Sequence, residues 1–264
     1  MKQNILIFIL IIFAISSCKK VINVDLNDAD PKIVVDASVE NGENYDGHVI
    51  IVKLSKSASF YDSSVPELIK GKDVYAINSA GKRFKLFENE YYYRIYIDEV
   101  DKSDVWKIET NIDGKDITAQ TTMPNYVGID SILSVKLPFG PQREGYTPVC
   151  FFTDIAGEAN NYRLRIHINS LYYNDLYITR DDGFDGQQIA YPFMKLEVQK
   201  GDTVSIDLMS IDAFSLEYYK VFAQNMGGGG FSAAPGNPIT NIVGEDAIGI
   251  FTGQTVSSVT RIVK

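Results

Sequence analysis

From residue 33 onward the chain alternates. Ile33, Val35, Ala37 and Val39 fall on one side of Val34, Asp36, Ser38 and Glu40, the period-two pattern of a strand with one face buried. The same pattern predicts strands over 48–54, 72–77, 83–87 and 91–97, and Trp106, Ile108, Thr110 and Ile112 share one face of another. Asp113-Gly114 then reads as the two-residue turn of a hairpin, both of whose central residues take positive φ, with Ile117, Ala119 and Thr121 returning. About seven strands separated by turn signals predict an immunoglobulin-like β-sandwich over 31–125, ended by Met123-Pro124-Asn125.

The second half, 126–264, reads as a further β-rich domain, either barrel or sandwich. Strands are expected over 129–137, 149–153, 162–168, 172–179, 193–198 and 203–209, with closing strands over 248–251 and 256–263. One helix interrupts them near 212–226. Asp212 is its N-cap, Phe214, Tyr218, Val221, Phe222 and Asn225 line one face at helical spacing, and Gly227 is the residue that stops it. Gly227 to Gly230 follow a helix and precede no Gly-Lys-Ser/Thr, so they read as a loop and not as a phosphate cradle.

The N-terminus has a different texture. Lys2 is followed by an apolar run over 5–15 and then Ser16-Ser17-Cys18. The run is too short for a transmembrane helix, which needs about 20 apolar residues. It predicts a signal peptide over 1–17 cleaved before Cys18, whose thiol carries the lipid. Residues 18–30, interrupted by Asn23, Asp25, Asn27, Asp28 and Asp30, form a tether to the folded part. Two or more acyl chains make a durable membrane anchor.

Composition narrows the chemistry. The formal net charge is −9, which argues against nucleic acid or an anionic lipid surface as partner. With Cys18 lipidated, Cys150 is the one thiol left of the 2 cysteines, so no disulfide and no cysteine cluster is available; its neighbours Val149, Phe151 and Phe152 mark it as a core residue. The 2 histidines, His48 and His167, stand far apart, and no nucleophile motif flanks either. No cofactor motif is present. Asp181, Asp182 and Asp185 around Gly183 and Gly186 form the densest acidic cluster. They are a weak calcium candidate, because they lack the EF-hand spacing and its terminal Glu. Tyrosines 91–93 and 96, and 172, 173 and 177, fall on both faces of expected strands. Tyr92, Arg94 and Tyr96, on one strand face, are the candidate contact patch.

The order of these landmarks resembles a known family. Cys18 followed by Val24-Asp25-Leu26, Pro31-Lys32-Ile33-Val34-Val35, Leu54-Ser55-Lys56-Ser57-Ala58 and Ala119-Gln120-Thr121-Thr122-Met123-Pro124 is similar to the Bacteroidota lipoprotein family catalogued as domain of unknown function 4249. Ile129-Asp130-Ser131-Ile132, Asn161-Tyr162-Arg163, Phe184-Asp185-Gly186, Gly201-Asp202-Thr203-Val204, Tyr218-Tyr219-Lys220 and Gly249-Ile250-Phe251 continue the match to near the end of the chain. The resemblance implies an outer-membrane lipoprotein working beside a TonB-dependent outer-membrane receptor, and it brings no catalytic residues. Lys19-Lys20 stand where surface-exposed members often carry acidic residues, so periplasmic and cell-surface leaflets both stay open. The leading expectation is a non-enzymatic binding or assembly partner of such a receptor. The alternatives are a lipoprotein that captures a glycan, peptide or metal chelate directly and, third, a hydrolase.

Overall fold

The structure, a computed structural model, describes residues 30–42, 48–58, 65–97, 105–136, 144–226 and 236–264. The expected signal peptide, Cys18 and the expected tether up to residue 29 lie outside the described residues, as do Gly227 to Gly230. Pro31–Lys264 form one compact unit, mainly β with one helix among the described residues.

The first half supplies β1 (Ile33–Gly42), β2 (His48–Lys56), β3 (Val74–Ile77), β4 (Arg83–Lys85), β5 (Phe87–Glu88), β6 (Tyr93–Ile97), β7 (Val105–Ile112) and β8 (Lys115–Thr122). The second supplies β9 (Ile129–Val135), β10 (Thr147–Thr153), β11 (Asn161–Ile168), β12 (Leu171–Arg180), β13 (Gln188–Pro192) and β14 (Thr203–Ile211), then α1 (Ala213–Met226), β15 (Ile242–Val243) and β16 (Ala247–Ile262). Eight of these strands make a central sheet in the order β12-β11-β14-β16-β1-β2-β6-β5. A five-stranded sheet, β15-β8-β7-β3-β4, and a three-stranded sheet, β13-β10-β9, complete the fold.

Three hydrophobic clusters form among the described residues, two of them between sheets. Val35, Ala37 and Val39 of β1 face Trp106, Ile108 and Ile117 of the five-stranded sheet; Tyr162, Leu164 and Ile166 of β11 face Cys150 and Phe152 of the three-stranded sheet. The cores divide between Met123, packed on the first, and Val127, buried in the second. Burying one such side chain contributes roughly 1.5–3 kcal/mol.

The 16-residue β16 is the element that joins them. Its first part runs parallel to β1, from Ala247 beside Ile33 to Val256 beside Gly42. Its later part runs antiparallel to β14, from Gln254 beside Ile211 to Ile262 beside Thr203. The two closing strands expected from sequence are therefore one, continued through Gly249 and Gly253. A Cβ at Gly253 would stand 2.5 Å from the Thr122 carbonyl oxygen, and its N–H donates to Thr121 Oγ1 at 2.7 Å.

Local expectations hold where the chemistry is local. Asp113 and Gly114 take φ of 52° and 87° at the β7–β8 turn, and Asp212 caps α1 by accepting from the Ser215 N–H at 2.6 Å. Two details differ. Residues 193–197 turn, with Leu196 N–H donating to Phe193 O at 2.9 Å, and Val198 makes an isolated antiparallel bridge to Tyr146; Phe193, Leu196 and Val198 drop into the second core. The buried stripe of α1 is Ser215, Leu216 and Tyr219, while Phe222 is 45% exposed. The helix packs on β11, β12 and β16, against the face of the central sheet that carries Met209, Ile211 and Val256.

Candidate partner-binding face

Cross-strand register places the candidate patch and the helix on the same face of the central sheet. Ser38 of β1 lies beside Ile51 of β2, and Ile51 beside Arg94 of β6. On its other side Ser38 lies beside Thr252 of β16, whose hydroxyl shares a 2.7 Å hydrogen bond with Ser215 of α1. Between α1 and the patch run β1 and β2, with Asp36 and Lys53 exposed and Ser38 and Ile51 half-buried. Strands are about 4.8 Å apart, so β16 and β6, three steps from one another, are separated by about 14 Å. That width accommodates one extended segment or one α-helix, which is about 10–12 Å across.

Both flanks of this strip are aromatic. On β6, the Arg94 guanidinium lies over the Tyr96 ring at 4.8 Å and near the Tyr92 ring at 5.7 Å, a cation–π arrangement that holds two rings upright. Tyr93 and Ile97, alternating with them, turn into the first core. Phe87, beside Arg94 in the β5–β6 register, is 73% exposed and Tyr96 is 56% exposed. On the helix side, Phe222 stacks flat against Tyr218, centroids 6.3 Å apart and planes at 9°. Burial and the nearby Asp36 carboxylate push the Tyr218 hydroxyl up to about 12, so it stays a neutral donor at physiological pH.

A partly buried charged seam, with Glu40 at its buried end, fixes the helix-side half of this face. Glu40 accepts from Gln254 Nε2 at 2.6 Å and faces Arg165 at 3.7 Å. Arg165 pairs with Asp207 at 3.3 Å, and Asp207 accepts from Ser258 Oγ at 2.6 Å. Two residues back along β11, Arg163 donates to the Tyr219 hydroxyl at 3.0 Å and lies over its ring at 4.6 Å. The seam stitches β1, β16, β14 and β11 through side chains on one sheet face. The partner of Arg163 lies in α1 and those of Arg165 in β1 and β14, up to 125 positions away, which no local sequence pattern shows.

The acidic cluster assembles differently from its sequence pattern. Asp182 turns away to the Arg180 guanidinium. Asp154, buried at the end of β10, takes its place, and oxygens of Asp154, Asp181 and Asp185 lie within 4.8 Å of one another. Such oxygens suit a hard cation, yet each carboxylate already serves the loops. Asp154 accepts from the Tyr162 hydroxyl and from Gly186 N–H at 3.1 Å. Asp181 accepts from Asn160 N–H at 3.1 Å and Asp185 from Gly157 N–H at 2.6 Å. The Asn160 amide, turned nitrogen-inward, donates to the Ile155 and Glu158 carbonyls at 3.1 Å. The arrangement clasps two loops together. Nothing in the sequence points to Asp154, whose role comes from its burial beside Tyr162.

Cys150 is fully buried, and burial pushes its thiol up to about 12, which makes it a packing residue and a poor nucleophile. His167 lies on the polar side of β11 against the Tyr172 ring, centroids 5.2 Å apart. The acidic cluster, which contains neither histidine, is a group of three potential metal ligands among the described residues.

No family model matches the chain, and no curated protein sequence matches it.

Proposed function

We propose that this chain is a lipid-anchored envelope protein that works as a binding or assembly partner of a TonB-dependent outer-membrane receptor, without chemistry of its own. The anchor is Cys18, and the outer membrane is its location. The partner's kind comes from the sequence resemblance. The surface we assign to it is the strip between Tyr218/Phe222 and the Tyr92–Arg94–Tyr96 stack, supported by the large aromatic side chains of Phe87, Tyr96 and Phe222 that stand exposed along it. Tyr and Arg are the residue types that dominate protein interfaces, because each joins a large apolar area to a directional polar group.

A photo-crosslinking residue at Tyr96, compared with one at Lys107 on the outer side of the five-stranded sheet, tests this reading. Crosslinking in intact cells should join the receptor to the chain from position 96 and not from position 107. Equal crosslinking from both positions, or none from 96, would refute the assignment of this face.

A further inference from the structure

A separate cavity lies where the central and three-stranded sheets part at β12 and β13. Along β12, Tyr177 pairs with Leu164 and Tyr173 with Ile166, so three residues, Asn174, Asp175 and Leu176, stand opposite Arg165 alone. Such a bulge re-aims side chains and often borders a site. Here it sets Asp175 and Leu176 at the rim of a cavity of about 440 Å³ that Tyr191, Met194 and Ala223 also line. Small-molecule pockets span about 300–1,000 Å³.

The cavity has a rigid back and an adaptable front. Tyr177 and Tyr191 both pack edge-on against Phe193, at 4.8 and 5.5 Å between centroids, which fixes the apolar wall. Met194 is 43% exposed, and its unbranched thioether can mould to a guest. At the rim stand two opposite charges, Asp175 and Lys195, 3.7 Å apart with side chains 50% and 80% exposed. The Asp175 carboxylate also accepts from the Tyr177 hydroxyl at 3.3 Å. An ion pair this open is screened and contributes little by itself, so both groups are available to a ligand.

The charges choose the ligand. A simple anion would meet Asp175, a simple cation would meet Lys195, and a neutral apolar guest would strip water from both without replacing it. A molecule with an ammonium and a carboxylate on the same carbon, which also carries an apolar group, complements the whole cavity. We infer that the cavity binds a free α-amino acid with an apolar side chain, its ammonium on Asp175, its carboxylate on Lys195 and its side chain between Tyr191 and Met194. This site is independent of the partner-binding face, and its failure would leave that proposal untouched.

Calorimetric titration of the full chain in detergent with L-phenylalanine and L-leucine tests the inference, alongside phenethylamine and 3-phenylpropanoate, which each lack one charge. At least one amino acid should bind, and removing either of its charges should weaken binding by about tenfold, as expected for a charge-assisted hydrogen bond. Asp175→Asn and Lys195→Gln should each produce a similar loss. Lys195 is exposed enough that its substitution leaves the fold intact, and circular dichroism of both variants checks this. No heat with either amino acid up to ~10 mM, binding of the single-charge probes equal to that of the amino acids, or unchanged affinity in Lys195→Gln would overturn it. A dipeptide, L-phenylalanyl-L-phenylalanine, binding more tightly than both amino acids would overturn the single-residue assignment as well.

Discussion

Replacing Glu40 by alanine should cost the protein about 2–4 kcal/mol, and the structure supplies the sum. Glu40 is 7% exposed, and the Gln254 side chain that donates to it belongs to a residue 2% exposed. Alanine leaves that amide donor buried and unpaired, at about 1–3 kcal/mol, and removes one methylene, Cγ, from packing at about 0.8 kcal/mol. The loss of about 3–5 kcal/mol seen when a buried ion pair is broken does not apply in full, because Arg165 keeps Asp207 at 3.3 Å. For a unit of this size each kcal/mol shifts Tm by about 2–4 °C, so a fall of roughly 4–16 °C is expected. Glu40→Gln keeps an acceptor for Gln254 and should lose less than half as much. Urea unfolding followed by the fluorescence of Trp106, the one tryptophan and buried in the first core, reads both variants. A change within about 0.5 kcal/mol for alanine, the range of ordinary surface substitutions, would refute the claim that the seam holds the two halves of the sheet together. So would equal losses in the two variants.

Gly253→Ala forces a Cβ to 2.5 Å from the Thr122 carbonyl and should destabilise by about 1–3 kcal/mol in the same assay. Cys150, with its thiol pushed up to about 12 by burial, should resist a thiol reagent at pH 8 in the folded protein and react fully in urea; rapid native labelling would contradict its placement. Asp202 accepts from Gln199 N–H at 2.7 Å and from the Asn169 amide at 2.8 Å, and these bonds hold its carboxyl below the ordinary 3.8. Its contribution is therefore complete above 3.8 and lost as pH falls through the lower folded-state value. Asp202→Asn should flatten the acid limb of a Tm-against-pH curve, and an unchanged limb would show that these bonds carry no net stability.

What could be read without coordinates was local. The alternation of β1, the Asp113-Gly114 turn and the Asp212 cap are each written in a few neighbouring residues, and all appear as expected. What could not be read depends on distant partners. Gly249 and Gly253 look like breaks in a strand pattern, yet they are required because β16 runs against β1 and the β8 end so closely that a Cβ at 249 would fall 1.9 Å from Val35 O. The five residues of β13 end in a proline and gave no strand signal, whereas the apolar spacing of Phe193, Leu196 and Val198 imitates one while serving turns. The helical spacing points to Phe214, Tyr218 and Phe222 as the packed stripe, yet Leu216 and Tyr219 face the sheet while Tyr218 and Phe222 form a flank. That same flank, facing β1, makes the patch of Tyr92, just before β6, and Arg94 and Tyr96 on β6 one wall of a two-sided strip.

Recovery of the receptor with the chain tests the central claim most directly. A tagged wild type and the Tyr92→Ala/Arg94→Ala/Tyr96→Ala variant, both purified from native membranes in mild detergent, are compared by quantitative mass spectrometry at equal yield and equal Tm. Stoichiometric recovery of a TonB-dependent receptor with the wild type, and at least a tenfold loss with the variant, is the predicted result. Equal recovery in both would contradict the assignment of the face, and absence of a receptor from both would contradict the proposed function itself.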